Sequence, residues 1–174
     1  CCCDGVCTGS IEGKTNLENK KGDEQIVDIV KVKRDITGGN VYLHCATGYV
    51  HDKKGETPLS LSGNGVDPYS KKAIPDQMYD VKAYFGKTSG NQIVHIIVIY
   101  DNTVRDSVTA CRYTELLAAY YADWFQTVQC THYEDHHGKS FYHTHIVVNS
   151  VSFVNGMMFH SGWVEMQRFC DHVS

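Results

Sequence analysis

Alternating and continuous apolar runs along the chain predict several β-strands. Residues 26–34 alternate apolar and polar positions, which is typical of a strand. Residues 92–100 are apolar on both faces apart from His95, a pattern that indicates a central strand. Residues 127–134 and 142–151 predict two further strands joined by a short polar turn. The sequence therefore predicts a sheet that contains an antiparallel hairpin.

Other segments carry the spacing of helices. Residues 36–50 predict a helix weakened by three glycines, and a second helix has Pro75 in its first turn and Gly86 as its stop signal. A third helix begins near Ser107, and residues 162–172 predict a short last one. The third helix carries an apolar stripe that we expect to face the core, formed by Tyr113, Leu116, Leu117, Tyr120, Tyr121 and Trp124.

The order of these elements predicts one α+β domain. Residues 1–24 have almost no apolar periodicity and predict a flexible, cysteine-containing lead-in, so that the folded domain spans residues 25–174. Residues 51–70 are rich in Gly, Pro and Asn and predict a loop with a short strand at residues 59–61. We expect an antiparallel-containing central sheet with helices packed on one face.

Composition narrows the class of protein. The 174 residues carry a net charge of −4 and a pI near 6.2, so bulk charge does not indicate a nucleic-acid binder. The longest apolar runs fall far short of the roughly 20 residues of a membrane helix, and a cytoplasmic protein is expected. Four of the eight cysteines crowd the first seven residues, without the spacing of a zinc knuckle, which favours a tail over a metal site there.

Histidines supply the clearest chemical signal. His143 and His145 are two residues apart on one predicted strand, so their side chains share a face, and His132 and Glu134 share a face of the partner strand. If the hairpin brings these faces together, three imidazoles and a carboxylate meet. Neutral imidazoles are ligands of transition metals, and three ligands leave positions open for a substrate. We therefore predict a metal site at His132, His143 and His145.

The segment THYEDHHGKSFYHTHIVVNSVSFVNGMMFH resembles the third motif of the relaxase and mobilisation nucleases, members of the His-hydrophobe-His endonucleases. A second likeness lies in SGNGVDP at residues 62–68 and in the strand of residues 85–100. Thr144 departs from the pattern, because it stands where the family has a large hydrophobe. The matching positions are His132, Glu134, His143, His145, Asn149, Ser150 and Gly156.

The resemblance implies a reaction. Enzymes of this family nick one DNA strand at a transfer origin through a tyrosine nucleophile and a divalent metal ion, Mg or Mn. Tyr49 stands where the family has its nucleophile, with Tyr42 as the second choice. His95 or His51 would accept the tyrosine proton, and Glu134 would orient a metal-ligating histidine.

The resemblance also implies partners, namely single-stranded DNA at a transfer origin and accessory mobilisation proteins. Basic residues beside Tyr49 would contact the DNA backbone. They are Lys31, Lys33, Arg34, Lys53, Lys54, Lys71, Lys72 and Lys87. Two alternatives stay open: a non-catalytic DNA- or metal-binding remnant of the fold, and a rolling-circle replication initiator with the same chemistry.

Overall fold

A computed structural model describes most of the chain. The described residues are 10–13, 27–34, 40–52, 57–136, 139–159 and 163–172. The crowded cysteines of residues 1–7, together with Lys53 and Lys54, lie outside them. None of the described helices is long and apolar enough to cross a membrane.

Within the described residues, six strands form one sheet in which every neighbouring pair is antiparallel. In chain order they are β1 (Ser10–Gly13), β2 (Val27–Arg34), β3 (Ser60–Asn64), β4 (Ile93–Tyr100), β5 (Thr127–His136) and β6 (Lys139–Asn149). Their order across the sheet is β1-β2-β4-β6-β5-β3. The predicted hairpin is thus present as β5 and β6, next to the central strand β4.

The part of the chain that the structure describes also contains four helices: α1 (Asn40–His51), α2 (Ala73–Tyr84), α3 (Ser107–Ala122) and α4 (Trp163–His172). The start of α3 is fixed by Asp106, whose side chain accepts a hydrogen bond from the Thr109 backbone N–H. α2 begins with Pro75 in its first turn, as predicted.

The two faces of the sheet differ in what covers them. On one face, α3 and Phe169 of α4 pack against apolar side chains of the central strands. We call this the core face, and its central side chains are Val94, Ile96, Val98, Ile146 and Val148. On the other face, α1 and α2 pack against Ile93, Val128, Cys130 and Val147. We call this the site face, because strand alternation also places His95, His132, His143 and His145 on it.

The α+β class and the antiparallel sheet are confirmed. The expectation that helices cover a single face is corrected, because apolar clusters with helices lie on both faces. The reason is visible in the strand pattern: β4 is buried along nearly its whole length, and a strand buried on both sides needs cover on both sides.

Two local predictions also need correction. Within the predicted irregular lead-in, Ser10–Gly13 forms an edge strand paired with β2. Of the predicted stripe of α3, Leu117 and Tyr121 are buried, whereas Leu116 is exposed, as is Trp124 just after the helix. The small residues Ala110, Thr114 and Ala118 complete the buried face and let α3 lie close to the sheet.

Candidate functional site

The register of the β5–β6 hairpin assembles the histidine cluster. His132 stands directly opposite His143, and Cys130 stands directly opposite His145. Because residues two apart on a strand share a face, these four side chains form a compact block on the site face. All four are buried, the three histidines to within 3% exposure. The sequence pattern therefore produces the proximity that was predicted for His132, His143 and His145.

The three imidazole rings are in mutual contact. The ring centroids of His132 and His143 are 5.5 Å apart, those of His132 and His145 are 5.6 Å apart, and those of His143 and His145 are 5.1 Å apart. Three imidazoles at this spacing have the donor type and the proximity that a divalent transition metal requires. As the side chains stand, however, no group of three or more His, Cys, Asp or Glu residues in the described ranges is arranged to hold a metal ion.

The contacts of the ring nitrogens explain why the three histidines are not arranged to hold a metal ion. His132 Nε2 is 3.1 Å from Cys130 Sγ, and His143 Nε2 is 3.8 Å from Glu134 Oε2. A metal bound by these rings through Nε2 would compete with both contacts.

His95 projects from the adjacent strand β4 into the same cluster. Its Nε2 is 2.9 Å from His145 Nδ1, and the two ring centroids are 5.1 Å apart. Burial, together with the positive charge of Lys33 on the neighbouring strand, lowers the pKa of His95 to about 3. His95 is therefore a neutral imidazole at physiological pH.

Helix α1 brings Tyr49 to the cluster. Leu43, Ala46 and Val50 are buried against the sheet, which fixes the last turn of the helix over β5 and β6. The half-buried Tyr49 ring makes an edge contact with His145 at 4.9 Å between centroids, and it is 6.3 Å from His95. The structure thus brings the predicted nucleophile and the predicted ligands together.

The second-choice residues lie in other surroundings. Tyr42, two helical turns earlier, packs against the apolar cluster of the site face. The pKa of His51 is lowered by burial and by Lys71, against smaller opposite effects of Pro68 and Asp67. These neighbours place His51 beside the loop before α2.

Asn149, another residue of the motif, has a structural environment. Its amide nitrogen donates to Met78 O and Gln126 Oε1, and its Oδ1 accepts from Lys82 Nζ at 2.5 Å. Lys82 is fully buried, and burial lowers its pKa to about 7. The sequence analysis did not predict this buried amine.

Gly156, the last motif position, has a positive φ of 71°. A Cβ at this position would collide with the Phe85 ring. Glycine is therefore required here both for backbone conformation and for the close approach of α2's end to the turn after β6.

Thr144, which departs from the family motif, has hydrogen-bond partners on the core face. The Thr144 hydroxyl is 2.9 Å from Tyr100 Oη and also contacts Thr114 Oγ1, which in turn is 2.7 Å from Thr131 Oγ1. A large hydrophobe would leave these buried hydroxyls with fewer partners. Thr144, between the two histidines, thus belongs to a network of hydrogen-bonded hydroxyls on the core face.

Cys130 was not predicted as part of the site. Its buried sulfur contacts His132 and faces His145 across the hairpin. The signal was available, because Cys130 is two residues before His132 and therefore on the same face of the strand.

Comparison with known proteins gives the class of protein, a DNA nuclease domain. The model of the family described as relaxase, MobA/VirD2-like, nuclease domain matches residues 49–174, well over half of the chain. The chain therefore belongs to this relaxase family. No curated protein and no solved structure matches it significantly. Family membership implies a DNA endonuclease that binds single-stranded DNA, and relaxase nucleases generally depend on a divalent metal ion.

Proposed function

We propose that this domain nicks one strand of DNA at a transfer origin by transesterification, with Tyr49 as the nucleophile and a divalent metal at His132, His143 and His145. The observation that carries the proposal is the edge contact between the Tyr49 ring and His145, 4.9 Å between centroids. Family membership supplies the class of reaction. The reaction would initiate mobilisation of the DNA element that carries the origin.

In the proposed step, the Tyr49 oxygen attacks the scissile phosphorus. The bond between phosphorus and one bridging oxygen breaks, so one DNA end becomes a free hydroxyl and the other is held as a tyrosyl phosphodiester. A phenol has a pKa near 10, so its proton must leave as the bond forms, and the departing bridging oxygen takes up one proton to become the free hydroxyl. Because one phosphodiester replaces another, the reverse reaction can rejoin strands at the same site.

The proposed metal ligands suit this task. Three neutral imidazoles bring no negative charge, so a bound Mg or Mn would leave its full positive charge for phosphate oxygens. Glu134 is half-buried, and its Oε2 lies 3.8 Å from His143 Nε2. It would orient the His143 ring by accepting a hydrogen bond from the ring nitrogen that does not bind the metal.

The DNA strand would meet basic side chains on the site face. Lys33 pairs with His95 and Lys31 pairs with Ile97 across the β2–β4 ladder, so both half-buried lysines stand beside the cluster. Lys71 approaches Gly48, one residue before Tyr49. Positive groups on both sides of Tyr49 would hold the phosphates that flank the scissile bond.

The test is covalent capture. Purified protein is incubated with Mn²⁺ and single-stranded oligonucleotides that tile the DNA flanking its gene, and adducts are sought on denaturing gels. We expect an adduct with the wild type and none with Tyr49→Phe, which removes the attacking oxygen and keeps the ring. Tyr42→Phe is the matched control and should retain the adduct.

The outcomes separate the alternatives. An adduct that persists in Tyr49→Phe and disappears in Tyr42→Phe would transfer the nucleophile to Tyr42. No adduct with any tile, together with retained binding of single-stranded DNA, would favour the non-catalytic remnant. Peptide mapping of the adduct identifies the modified residue directly.

A further inference from the structure

His95 was predicted to accept the proton of Tyr49, but its contacts indicate another role. The ring centroids of His95 and Tyr49 are 6.3 Å apart, whereas His95 Nε2 lies 2.9 Å from His145 Nδ1. Nε2 of His95 is therefore directed at a neighbouring imidazole. It is not directed at the phenol.

We propose that His95 is a positioning residue that accepts a hydrogen bond from His145 Nδ1–H and thereby fixes both the ring orientation and the tautomer of His145. This inference rests on the proposed metal site. A neutral imidazole has one N–H and one lone pair. If Nδ1 carries the hydrogen and donates to His95, the lone pair of His145 is on Nε2, which is the nitrogen that a metal would bind.

The surroundings make His95 suited to accepting. It is 5% exposed, within the sheet, and Lys33 lies opposite it on β2. Its backbone belongs to the central strand β4, paired on both sides, so the acceptor is held rigidly.

The arrangement makes His145 differ from the other two proposed ligands. His132 and His143 direct Nε2 toward Cys130 and Glu134, whereas His145 directs Nδ1 toward its partner. His145 would therefore be in its ligating orientation before metal binds. The other two rings would then turn to complete the site.

The first test needs neither metal nor DNA. Long-range ¹H–¹⁵N spectra of the ¹⁵N-labelled, metal-free protein report which ring nitrogen carries the hydrogen. We expect His145 to be protonated at Nδ1 in the wild type and to shift toward the Nε2–H form in His95→Leu. Ile97→Val, a conservative change directly opposite His145, is the control and should leave the tautomer unchanged. A wild-type His145 that carries its hydrogen on Nε2 overturns the inference.

The second test measures Mn²⁺ affinity by calorimetry. His95→Leu should weaken binding about 10–100-fold, the usual effect of losing a partner that orients a metal ligand. His95→Gln supplies an amide oxygen as acceptor and should recover part of the affinity. If His95 is instead the base for Tyr49, His95→Leu will bind Mn²⁺ as the wild type does and lose adduct formation at saturating Mn²⁺. That result would overturn the inference and leave the proposed function intact.

Failure of the proposed function has a different signature. Wild-type protein that forms no covalent adduct would contradict the nuclease proposal, while the tautomer of His145 would still report the contact with His95. Unfolding curves of His95→Leu, measured alongside, show whether the variant is folded under the conditions of both tests.

Discussion

The same strands build two faces of opposite character. Along β6, Thr144, Ile146 and Val148 face α3 and α4, whereas His143 and His145 on the alternate positions face α1. Both sets are buried, so burial alone does not separate them. Each face carries an apolar cluster, and the difference lies in the polar groups beside it: the core face holds mutually bonded hydroxyls, whereas the site face holds imidazoles that can bind ligands or exchange protons.

The contrast suggests that the two faces have different roles. The core face supplies the hydrophobic free energy that holds the sheet, and the site face places reactive groups on the rigid platform so formed. If this is correct, substitutions on the core face should change stability greatly and metal binding little. Substitutions of the histidines should do the reverse.

The largest effect is expected for Ile146→Ala. Ile146 is fully buried in the core-face cluster, and it directly follows His145, a ligating position of the proposed site. Removal of three carbons should lower the free energy of unfolding by about 4 kcal/mol, as for other fully buried aliphatic residues. Urea unfolding measures the loss. The exposed Leu116→Ala on α3 is the control and should change stability by less than about 0.5 kcal/mol.

Two outcomes of that experiment would contradict the proposed difference between the faces. A loss below about 1 kcal/mol would mean that the core face does not dominate stability. A normal loss accompanied by a large fall in Mn²⁺ affinity of the folded protein would mean that the two faces are coupled through the strand.

A smaller effect, of opposite sign, is expected for Lys82→Met at the margin of the site face. Burial lowers the pKa of Lys82 to about 7 in the folded protein, while the unfolded chain keeps a value near 10.5. Between these two values the unfolded state binds more protons, so wild-type stability should rise as the pH rises from 7 to 10.5. At pH 6 the variant should be more stable by roughly 2–3 kcal/mol.

The gain at pH 6 should shrink as the pH approaches 10.5, because the neutral amine is no longer costly to bury. The gain is also reduced because Asn149 loses the hydrogen bond from Lys82. Lys72→Met, an exposed residue at the start of α2, should give no such pH dependence. A constant difference between Lys82→Met and the wild type over this range would contradict the buried-amine interpretation.

A smaller loss of stability is expected for Thr144→Val, a substitution that keeps the shape of the side chain and removes the hydroxyl. Tyr100 and Thr114 each lose a buried partner, which should cost about 1–2 kcal/mol of stability. Tyr100→Phe should cost a similar amount, and the double variant should cost less than the two combined, because they share one hydrogen bond. Strict additivity in this double-mutant cycle would show that the hydroxyls do not act as a network.

How far the sequence predicts the molecule depends on the kind of signal. Strand β4 and the hairpin could be predicted, because a period of two is a local property, and the cluster followed from His132, His143 and His145 on alternate positions. Which sides of the sheet the helices cover could not be predicted from the sequence. Helix placement depends on how tightly small residues such as Ala118 pack. The His95–His145 contact depends on the register between strands 50 residues apart in sequence.

The smallest change in stability is expected for His143→Asn, and it sharpens the comparison most. In the absence of metal, the loss of a site-face imidazole should alter the free energy of unfolding by less than about 1 kcal/mol, because the ring contributes polar contacts more than apolar burial. Added Mn²⁺ at about 100 times its dissociation constant should stabilise the wild type by about 2.7 kcal/mol, and this gain should vanish in the variant. Thermal unfolding with and without Mn²⁺ measures both quantities. An unchanged Mn²⁺ effect would place the ion elsewhere, and a metal-free loss as large as that of Ile146→Ala would show that the site face bears as much of the fold's stability as the core face.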